Sequence, residues 1–251
     1  MALIEEMKKQ GDFMFRYRSF LPIPLLLAGI IYHIYIHTID VSNVPGVYYY
    51  FICFGVSFLG LVIRAFTIGY TPKNTSGRNT KQQVAENVNS TGIYSIVRHP
   101  LYLGNFFMWL GLAMVSFSFW FTLTFILFYW IYYERIMFAE EAFLRGKFGE
   151  EYIRWAENVP AFIPDFKLWK PSKTFFSFRN VIKRETTGFF LLVFLIFLFE
   201  YTHEIMLNGY NFAELSPVGH FWFWFFVFAA LFYLIIRIIR KNTQWLTVMG
   251  R

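Results

Sequence analysis

Long apolar runs separated by short polar segments dominate the hydrophobic pattern of this chain. The runs lie at about Phe20–Ile39, Val47–Tyr70, Leu103–Tyr133, Thr187–Leu207 and Val218–Arg240. A helix crosses a membrane with about 20 residues, so four of these runs predict one spanning helix each. The run Leu103–Tyr133 is too long for one ordinary span. It fits two short helices that fold back on each other as a hairpin at Ser116–Ser118.

The positions of Lys and Arg favour the hairpin. Apart from Arg64, every Lys and Arg lies before residue 20, in 71–100, in 134–186 or after residue 236. A hairpin places these four segments on one side of the membrane, as expected for cytoplasmic segments. A single crossing would put the most basic segment on the outer side. The pattern therefore predicts an all-α fold, a polytopic membrane helical bundle of about six transmembrane helices with both termini cytoplasmic.

The composition agrees with a membrane protein. The chain is 57% hydrophobic and 23% aromatic, whereas soluble domains average about 45–50% apolar residues. The net charge of +7 is explained by the cytoplasmic segments, so no nucleic-acid partner is predicted. Cys53 is the single cysteine, which excludes a disulfide framework and a two-cysteine metal site. The N-terminal segment lacks a signal-peptide pattern, so we expect the first span to remain as an anchor.

Two polar clusters flank the predicted hairpin. The first is SIVRHPLYLGN at Ser95–Asn105, and the second is EEAFLRGKFGEEY at Glu140–Tyr152. Charge beside membrane-spanning sequence is costly and indicates a functional site. In the first cluster Pro100 can open the next helix, whose backbone donors and Arg98 would bind an anion. The alternative is a basic anchor whose side chain reaches the membrane interface.

The hairpin returns the second cluster to the first. Glu140 and Glu141 are expected at the boundary that holds Arg98 and His99, where carboxylates would suit a sulfonium or an ammonium. Without that convergence, the two glutamates would form a solvated helix face paired with Arg145. The sequence therefore predicts one small cytoplasmic helical cofactor region, divided by the hairpin.

Other polar residues lie within or beside the spans. Arg64 could contact a lipid phosphate, or its side chain could simply reach the membrane interface. His33 and His37 have a spacing that can ligate a metal, but no third ligand is evident, so we interpret them as interfacial anchors and predict no metal site. His203 and Glu204 have the same interpretation. Glu200 lies inside a span without an obvious partner.

The segment Gly92–Pro164 resembles the isoprenylcysteine carboxyl methyltransferase and phospholipid methyltransferase families. Their pattern is G-x-Y-x-x-x-R-H-P-x-Y-x-G, an apolar hairpin, E-E with F-G-x-E-Y, and V-P-x-x-I-P. The matching residues are Gly92, Tyr94, Arg98, His99, Pro100, Tyr102, Gly104, Glu140, Glu141, Phe148, Gly149, Glu151, Tyr152, Val159, Pro160, Ile163 and Pro164.

The resemblance implies a multi-pass enzyme that binds S-adenosylmethionine at the cytoplasmic membrane face. We predict that the cofactor contacts Tyr94, His99, Pro100, Tyr102, Leu103, Gly104 and Glu141. Arg98 and Glu140 are the predicted catalytic residues. Arg98 would face the methyl acceptor, and if the acceptor is an amine, His99 or a glutamate such as Glu140 would have to act as the base. Arg64 and Arg135 are predicted to bind the substrate, and this wealth of arginine favours a phosphate or carboxylate oxygen on a lipid over an amine.

The resemblance divides the chain into three parts: 1–91 with two spans and a loop, the methyltransferase-like core 92–165, and 166–251 with a linker and two spans. Three features depart from the family pattern. Ala161 stands where many relatives have arginine, two further spans follow the core, and the loop TPKNTSGRNTKQQVAEN at Thr71–Asn87 resembles an insertion.

Three functions remain open at this point. The favoured one is a lipid-directed methyltransferase in a bacterial inner membrane, with the lipid bilayer and a lipid or lipid-linked substrate as partners. The second is an NADPH-dependent reductase of the sterol-reductase type, whose motif is R-H-x-N-Y-x-G. Here Leu101 replaces the asparagine, and Asn105 stands where an acidic residue often follows. The third is a non-catalytic membrane protein.

Overall fold

The protein is helical throughout the residues described by the computed structural model, which are 2–18, 20, 22–39, 48–72, 83–208 and 215–248. Helix accounts for 76% of the described residues, and no strand occurs among them. The helices are α1 (Leu3–Tyr17), α2 (Pro22–Ile39), α3 (Tyr49–Tyr70), α4 (Pro100–Met114), α5 (Phe119–Phe148), α6 (Glu150–Ala156), α7 (Phe178–Asn208) and α8 (Pro217–Asn242). The predicted all-α class is confirmed.

Three helices are long and apolar enough to cross a membrane. They comprise Tyr49–Tyr70, Phe178–Met206 and Pro217–Asn242. Two shorter apolar helices cover Ile23–Ile36 and Pro100–Met114. A membrane-embedded bundle is thus supported, while the count of six spans stays a prediction.

The predicted hairpin corresponds to α4 and α5. Ser118 caps α5 by accepting a hydrogen bond from the Phe121 backbone N at 3.2 Å. The two helices then run antiparallel. A hydrogen bond from the Tyr129 hydroxyl to the Tyr102 carbonyl, 2.6 Å long, joins the end of α5's apolar part to the start of α4. The serine-rich segment therefore ends one helix and starts the next, since serine oxygens satisfy backbone donors that a helix start leaves free.

Glycines allow α3 and α4 to pack at close range. A Cβ atom at Gly104 would lie 2.8 Å from the Gly60 carbonyl oxygen and 2.5 Å from Arg64 Cγ. Gly111 meets the backbone of Cys53 in the same way. Small residues at such positions are typical of helix contacts in membranes, where close approach supplies the attraction.

Contacts define the two ends of the bundle. At one end, Phe117 in the α4–α5 turn packs its ring against Tyr50 and His203, with centroids 5.6 and 6.4 Å apart. At the other end, the Arg179 guanidinium lies 5.4 Å from the Trp245 ring centroid. The start of α4, the end of α5 and the start of α7 meet at this second end, which holds the polar cavity.

Candidate active site

A cavity of about 410 Å³ lies at the end of the bundle opposite the α4–α5 turn. Its wall is built from α1, α3, segment 83–89, and the helix ends that follow or precede the two polar motifs. Seven residues predicted from the sequence line it, namely Arg64, Tyr94, Arg98, His99, Pro100, Tyr102 and Glu140. The convergence expected from the hairpin is therefore present in the structure.

The backbone of His99 is held by the V-P segment. The Arg98 N–H donates to the Pro160 carbonyl at 2.9 Å, and the His99 N–H donates to the Ala161 carbonyl at 3.1 Å. Pro100 then occupies the first turn of α4, where its missing N–H costs nothing. The V-P segment thus positions the Arg98–His99 motif. It does so through backbone carbonyls, which Ala161 supplies as well as any other residue would.

The side chain of His99 joins the two glutamates. Its Nε2 lies 2.9 Å from Glu141 Oε1, and its Nδ1 lies 3.6 Å from Glu140 Oε2. Arg98 Nη1 lies 3.3 Å from the second oxygen of Glu141. His99 is only 7% exposed. The alternative of a solvated glutamate face is therefore wrong, because both carboxylates contact a buried imidazole.

The pKa values of this cluster shift toward the charged forms. Burial alone would lower the pKa of His99, but hydrogen bonds and charge from Glu140 and Glu141 outweigh it, and the pKa is raised. Burial would raise the pKa of both carboxyls, but their contacts with His99 outweigh it, and both pKa values are lowered. An imidazolium between two carboxylates is the favoured state.

Tyrosine rings pack against the imidazole of His99. The Tyr102 ring stacks on the His99 ring with centroids 5.6 Å apart and planes 19° apart. Tyr133 packs against Tyr102 at 5.0 Å and against Tyr129 at 4.1 Å. The three tyrosines belong to one core cluster of the bundle, so Tyr102 fixes the His99 ring against that core.

The Arg64 side chain lines the cavity and is held by hydrogen bonds within the bundle. Its Nε and Nη2 donate to the two carboxylate oxygens of Glu185 at 2.8 and 2.7 Å, and its Nη1 donates to Asn105 Oδ1 at 2.5 Å. The bidentate pair links α3 to α7. Glu185 was not among the predicted residues, although a lone arginine in a span requires a partner and Glu185 directly precedes the last two predicted spans.

Four predicted site residues are absent from the cavity wall. One is Glu141, which contacts His99 and Arg98 of the wall, and the other three are Leu103, Gly104 and Arg135. Leu103 is buried in the bundle, and Gly104 faces α3 as described above. Arg135 lies 3.5 Å from Glu134 and is also absent from the cavity wall. The predicted roles of these last three residues in binding cofactor or substrate receive no support from this geometry and stay predictions.

Several lining residues were not predicted from the sequence. They include Arg18 from α1, Gln83 and Asn89 from the loop, Trp155 from α6, and Arg184 from α7. These residues lie outside the two polar motifs, so no local pattern marks them. For Gln83, the only signal in the sequence is that its loop, Thr71–Asn87, resembles an insertion.

The polar residues at the opposite end are buried in the bundle. His33, His203, Glu200 and Glu204 are each at most 4% exposed. Ser216, which caps α8, donates its backbone N–H to Glu204 at 3.1 Å. The interpretation of His33, His203 and Glu204 as interfacial anchors is therefore wrong, because they are enclosed by helices. The side chain of His37 lies outside the described residues.

Within the described ranges, no group of three or more His, Cys, Asp or Glu side chains could hold a metal ion.

The middle of the chain is similar to known methyltransferases. Residues 50–151 match the family model of phospholipid methyltransferase. The predicted resemblance is confirmed. A Schizosaccharomyces pombe protein named protein-S-isoprenylcysteine O-methyltransferase is 43% identical over 74 residues, which are 29% of this chain and 31% of that protein. The family-model match over residues 50–151 includes both the Arg98–His99 motif and the glutamate pair.

Two bacterial relatives carry names that refer to metal resistance. The cobalt-zinc-cadmium resistance protein CzcN of Cupriavidus metallidurans is 33% identical over 85 residues, which are 34% of this chain and 39% of the relative. The nickel-cobalt-cadmium resistance protein NccN of Alcaligenes xylosoxydans xylosoxydans is 31% identical over 100 residues, 40% and 44% respectively. The chain spans less than half the length of these curated relatives. No solved structure matches it significantly.

Proposed function

We propose that this protein is an integral membrane methyltransferase that uses S-adenosylmethionine, with its active site in the cavity around His99. The observation that carries the proposal is the contact between the two halves of the motif, His99 Nε2 to Glu141 Oε1 at 2.9 Å. The match to the methyltransferase family model covers both halves, and the pair lies beside a cavity large enough for a small ligand.

The residues present fit this cofactor, which supplies an activated methyl group on a sulfonium when bound. Glu140 makes the longer of the two contacts with His99 and is the carboxylate best suited to approach a cationic ligand. Among the described residues, the buried Nε of Arg98 has no hydrogen-bond partner, which fits an anionic carboxylate. Tyr94, His99 and Tyr102 would complete this part of the binding site.

The protein's contribution to methyl transfer is positioning and electrostatics. Good orientation of two reactants can supply about 7–11 kcal/mol of the barrier. The V-P segment fixes the backbone of His99 and Arg98, and Tyr102 stacks on the His99 ring. We infer that no residue here must act as a nucleophile.

A lipid with an anionic oxygen is the acceptor that the surroundings favour. Arg18, Arg64, Arg98 and Arg184 all line the cavity. A phosphate or carboxylate oxygen is ionised at neutral pH and needs orientation by a cation, whereas an amine would need a base. One relative is named as an O-methyltransferase, which agrees with an oxygen acceptor.

An apolar cleft supports a lipid as the carrier of that oxygen. It lies between α2, α4 and α5, with walls that include Leu25, Gly29 and Phe121. Trp109 and Tyr133 line both this cleft and the polar cavity. A hydrocarbon chain in the cleft would place its headgroup beside the arginines. We propose that this end of the bundle faces the cytoplasm of a bacterial inner membrane.

Ligand binding tests the proposal directly. Purified protein in lipid nanodiscs is titrated with S-adenosylhomocysteine and, separately, with NADPH. Saturable binding of the first ligand alone is expected. Binding of NADPH alone would establish a reductase instead, and binding of neither would favour a non-catalytic protein.

The acceptor is then sought by mass spectrometry of total lipids from cells with and without the gene. A lipid that is heavier by one methylene group only when the gene is present is the expected product. Methylation of an amine headgroup would retain the reaction and reject the oxygen acceptor.

A further inference from the structure

Gln83 and Trp155 line the cavity wall and carry buried polar atoms that have no partner among the described residues. The amide nitrogen and oxygen of Gln83 are both buried and unpaired among the described residues, and so is Trp155 Nε1. Both side chains line the cavity wall. Buried polar groups are almost always hydrogen-bonded in folded proteins, so these atoms indicate a polar ligand at this part of the wall.

The segment that carries Gln83 is fixed to the body of the protein. Lys147 Nζ on α5 donates to the Ala85 carbonyl oxygen, and Ala85 is 7% exposed. Val84 and Val88 line the cavity from this segment, and Phe143 and Leu144 line it from α5. Gln83 therefore belongs to an anchored segment of the cavity wall, in a loop that the sequence alone presents only as an insertion.

The chemistry of an amide selects the ligand class. A glutamine offers an acceptor and a donor side by side, which complements an adenine edge, where the amino group adjoins a ring nitrogen. Indole N–H is a donor only, and it could meet a second ring nitrogen or a ribose hydroxyl. A lipid phosphate would require cations and an ammonium would require carboxylates, and neither Gln83 nor Trp155 supplies them.

We propose that Gln83 and Trp155 form the nucleoside-recognition part of the site, with the Gln83 amide paired to the adenine edge of the cofactor. The inference rests on the proposed function, because it names the base of the same cofactor. It divides the cavity into two parts. Charged groups around His99 serve the amino-acid and methyl-transfer half, and the uncharged pair Gln83–Trp155 serves the base.

Two ligands separate the halves experimentally. S-adenosylhomocysteine carries both halves, and 5′-methylthioadenosine carries the nucleoside without the amino acid. Gln83→Ala is expected to weaken the affinity for both ligands by the same factor, about five- to tenfold, the scale of one or two lost hydrogen bonds. Trp155→Phe, which removes only the N–H, is expected to weaken both ligands by a smaller common factor. Calorimetry in nanodiscs measures the four affinities.

Matched controls make the outcome specific. Gln10→Ala removes an exposed glutamine of α1 that is outside the cavity wall and should leave both affinities unchanged. Glu141→Gln should weaken S-adenosylhomocysteine more than 5′-methylthioadenosine. Melting temperatures check that each variant folds.

Two results would overturn the inference. In the first, Gln83→Ala, in folded protein, retains wild-type affinity for both ligands. In the second, it weakens S-adenosylhomocysteine alone, which would place the amide on the amino-acid half. If the wild type binds neither ligand, the proposed function itself fails, and that result is visible before any variant is made.

Discussion

His99 is the residue on which the geometry of the site depends most. It stands at the start of α4, contacts both glutamates of α5, and stacks on Tyr102. We expect His99→Ala and Glu141→Gln each to weaken S-adenosylhomocysteine binding about tenfold or more, the scale for hydrogen bonds that involve charged groups. Calorimetric titration in nanodiscs measures the loss.

The control for these variants is Glu134→Gln, which neutralises a carboxylate about two turns before Glu141 on the same helix. Glu134 contacts Arg135 and is 46% exposed at its side chain, so its loss should leave binding unchanged. Wild-type affinity in both His99→Ala and Glu141→Gln would show that the site lies elsewhere.

The same cluster predicts a pH dependence of stability. The raised pKa of His99 gives stabilisation that is complete below the ordinary histidine pKa of 6.5 and is lost as the pH rises through the folded-state pKa. The lowered pKa of Glu141 gives stabilisation that is complete above the ordinary value of 4.5 and is lost as the pH falls through the folded-state pKa. The contribution should therefore be largest between these two pH values.

Thermal unfolding of the wild type and of Glu141→Gln across this pH range provides the measurement. The difference between their melting temperatures should be greatest at mildly acidic pH and should shrink on either side. A difference that grows steadily toward alkaline pH would contradict the predicted imidazolium–carboxylate contact.

At the scale of helices, the ion pair of Arg64 and Glu185 joins α3 to α7. Breaking a buried pair from one side leaves a charge without its partner and costs about 3–5 kcal/mol. Arg64→Met and Glu185→Met should each lower the free energy of unfolding by about this amount. The double variant should be close to wild type, because apolar replacement of both partners is often neutral.

Denaturation of detergent-solubilised protein compares these variants with Arg237→Met, which replaces an exposed arginine on α8 and should have little effect. Additive losses in the double variant would mean that the two side chains do not act as a pair.

The contact between α3 and α4 gives a sharper test of packing. An added methyl group at Gly60 would lie 2.9 Å from Met108 Cγ and closer still to the Gly104 carbonyl, whereas nothing lies within 4 Å of one at Gly55 on the same helix. Gly60→Ala should destabilise the protein by about 1–3 kcal/mol through overpacking. Gly55→Ala is the matched control and should stay within about 0.5 kcal/mol of wild type.

Melting temperatures in one detergent measure both glycine variants. Equal effects of the two substitutions would indicate that close packing at Gly60 is absent.

At the scale of the whole molecule, the membrane orientation remains a prediction that the charge distribution makes. The single cysteine, Cys53, is buried, so Cys53→Ala provides a background for labelling in intact cells. A membrane-impermeant maleimide should not reach cysteine introduced by Lys170→Cys or Lys241→Cys until the cells are lysed. It should reach the product of Phe119→Cys, because Phe119 lies at the opposite end and is 72% exposed.

Labelling of the residue-170 position from outside would contradict the cytoplasmic placement of the active site. Labelling of the 170 and 241 positions from opposite sides would contradict the predicted even number of crossings between them.

The sequence by itself determined the helical class, the fold-back at Ser116–Ser118 and the convergence of His99 with Glu141. Apolar runs and charge asymmetry follow directly from the transfer of side chains between water and lipid, so they can be read without coordinates. Recognition of the family motif added the reaction class in the same way.

Only the tertiary structure decided which polar groups meet at long range. Glu185 reaches Arg64 across 121 positions of the chain, and Gln83 and Trp155 line one cavity although no shared motif links them. Such contacts depend on how helices pack, and packing depends on the summed shape of many side chains. For the same reason only the structure shows that Leu103 is buried in the bundle and that Gly104 packs against α3.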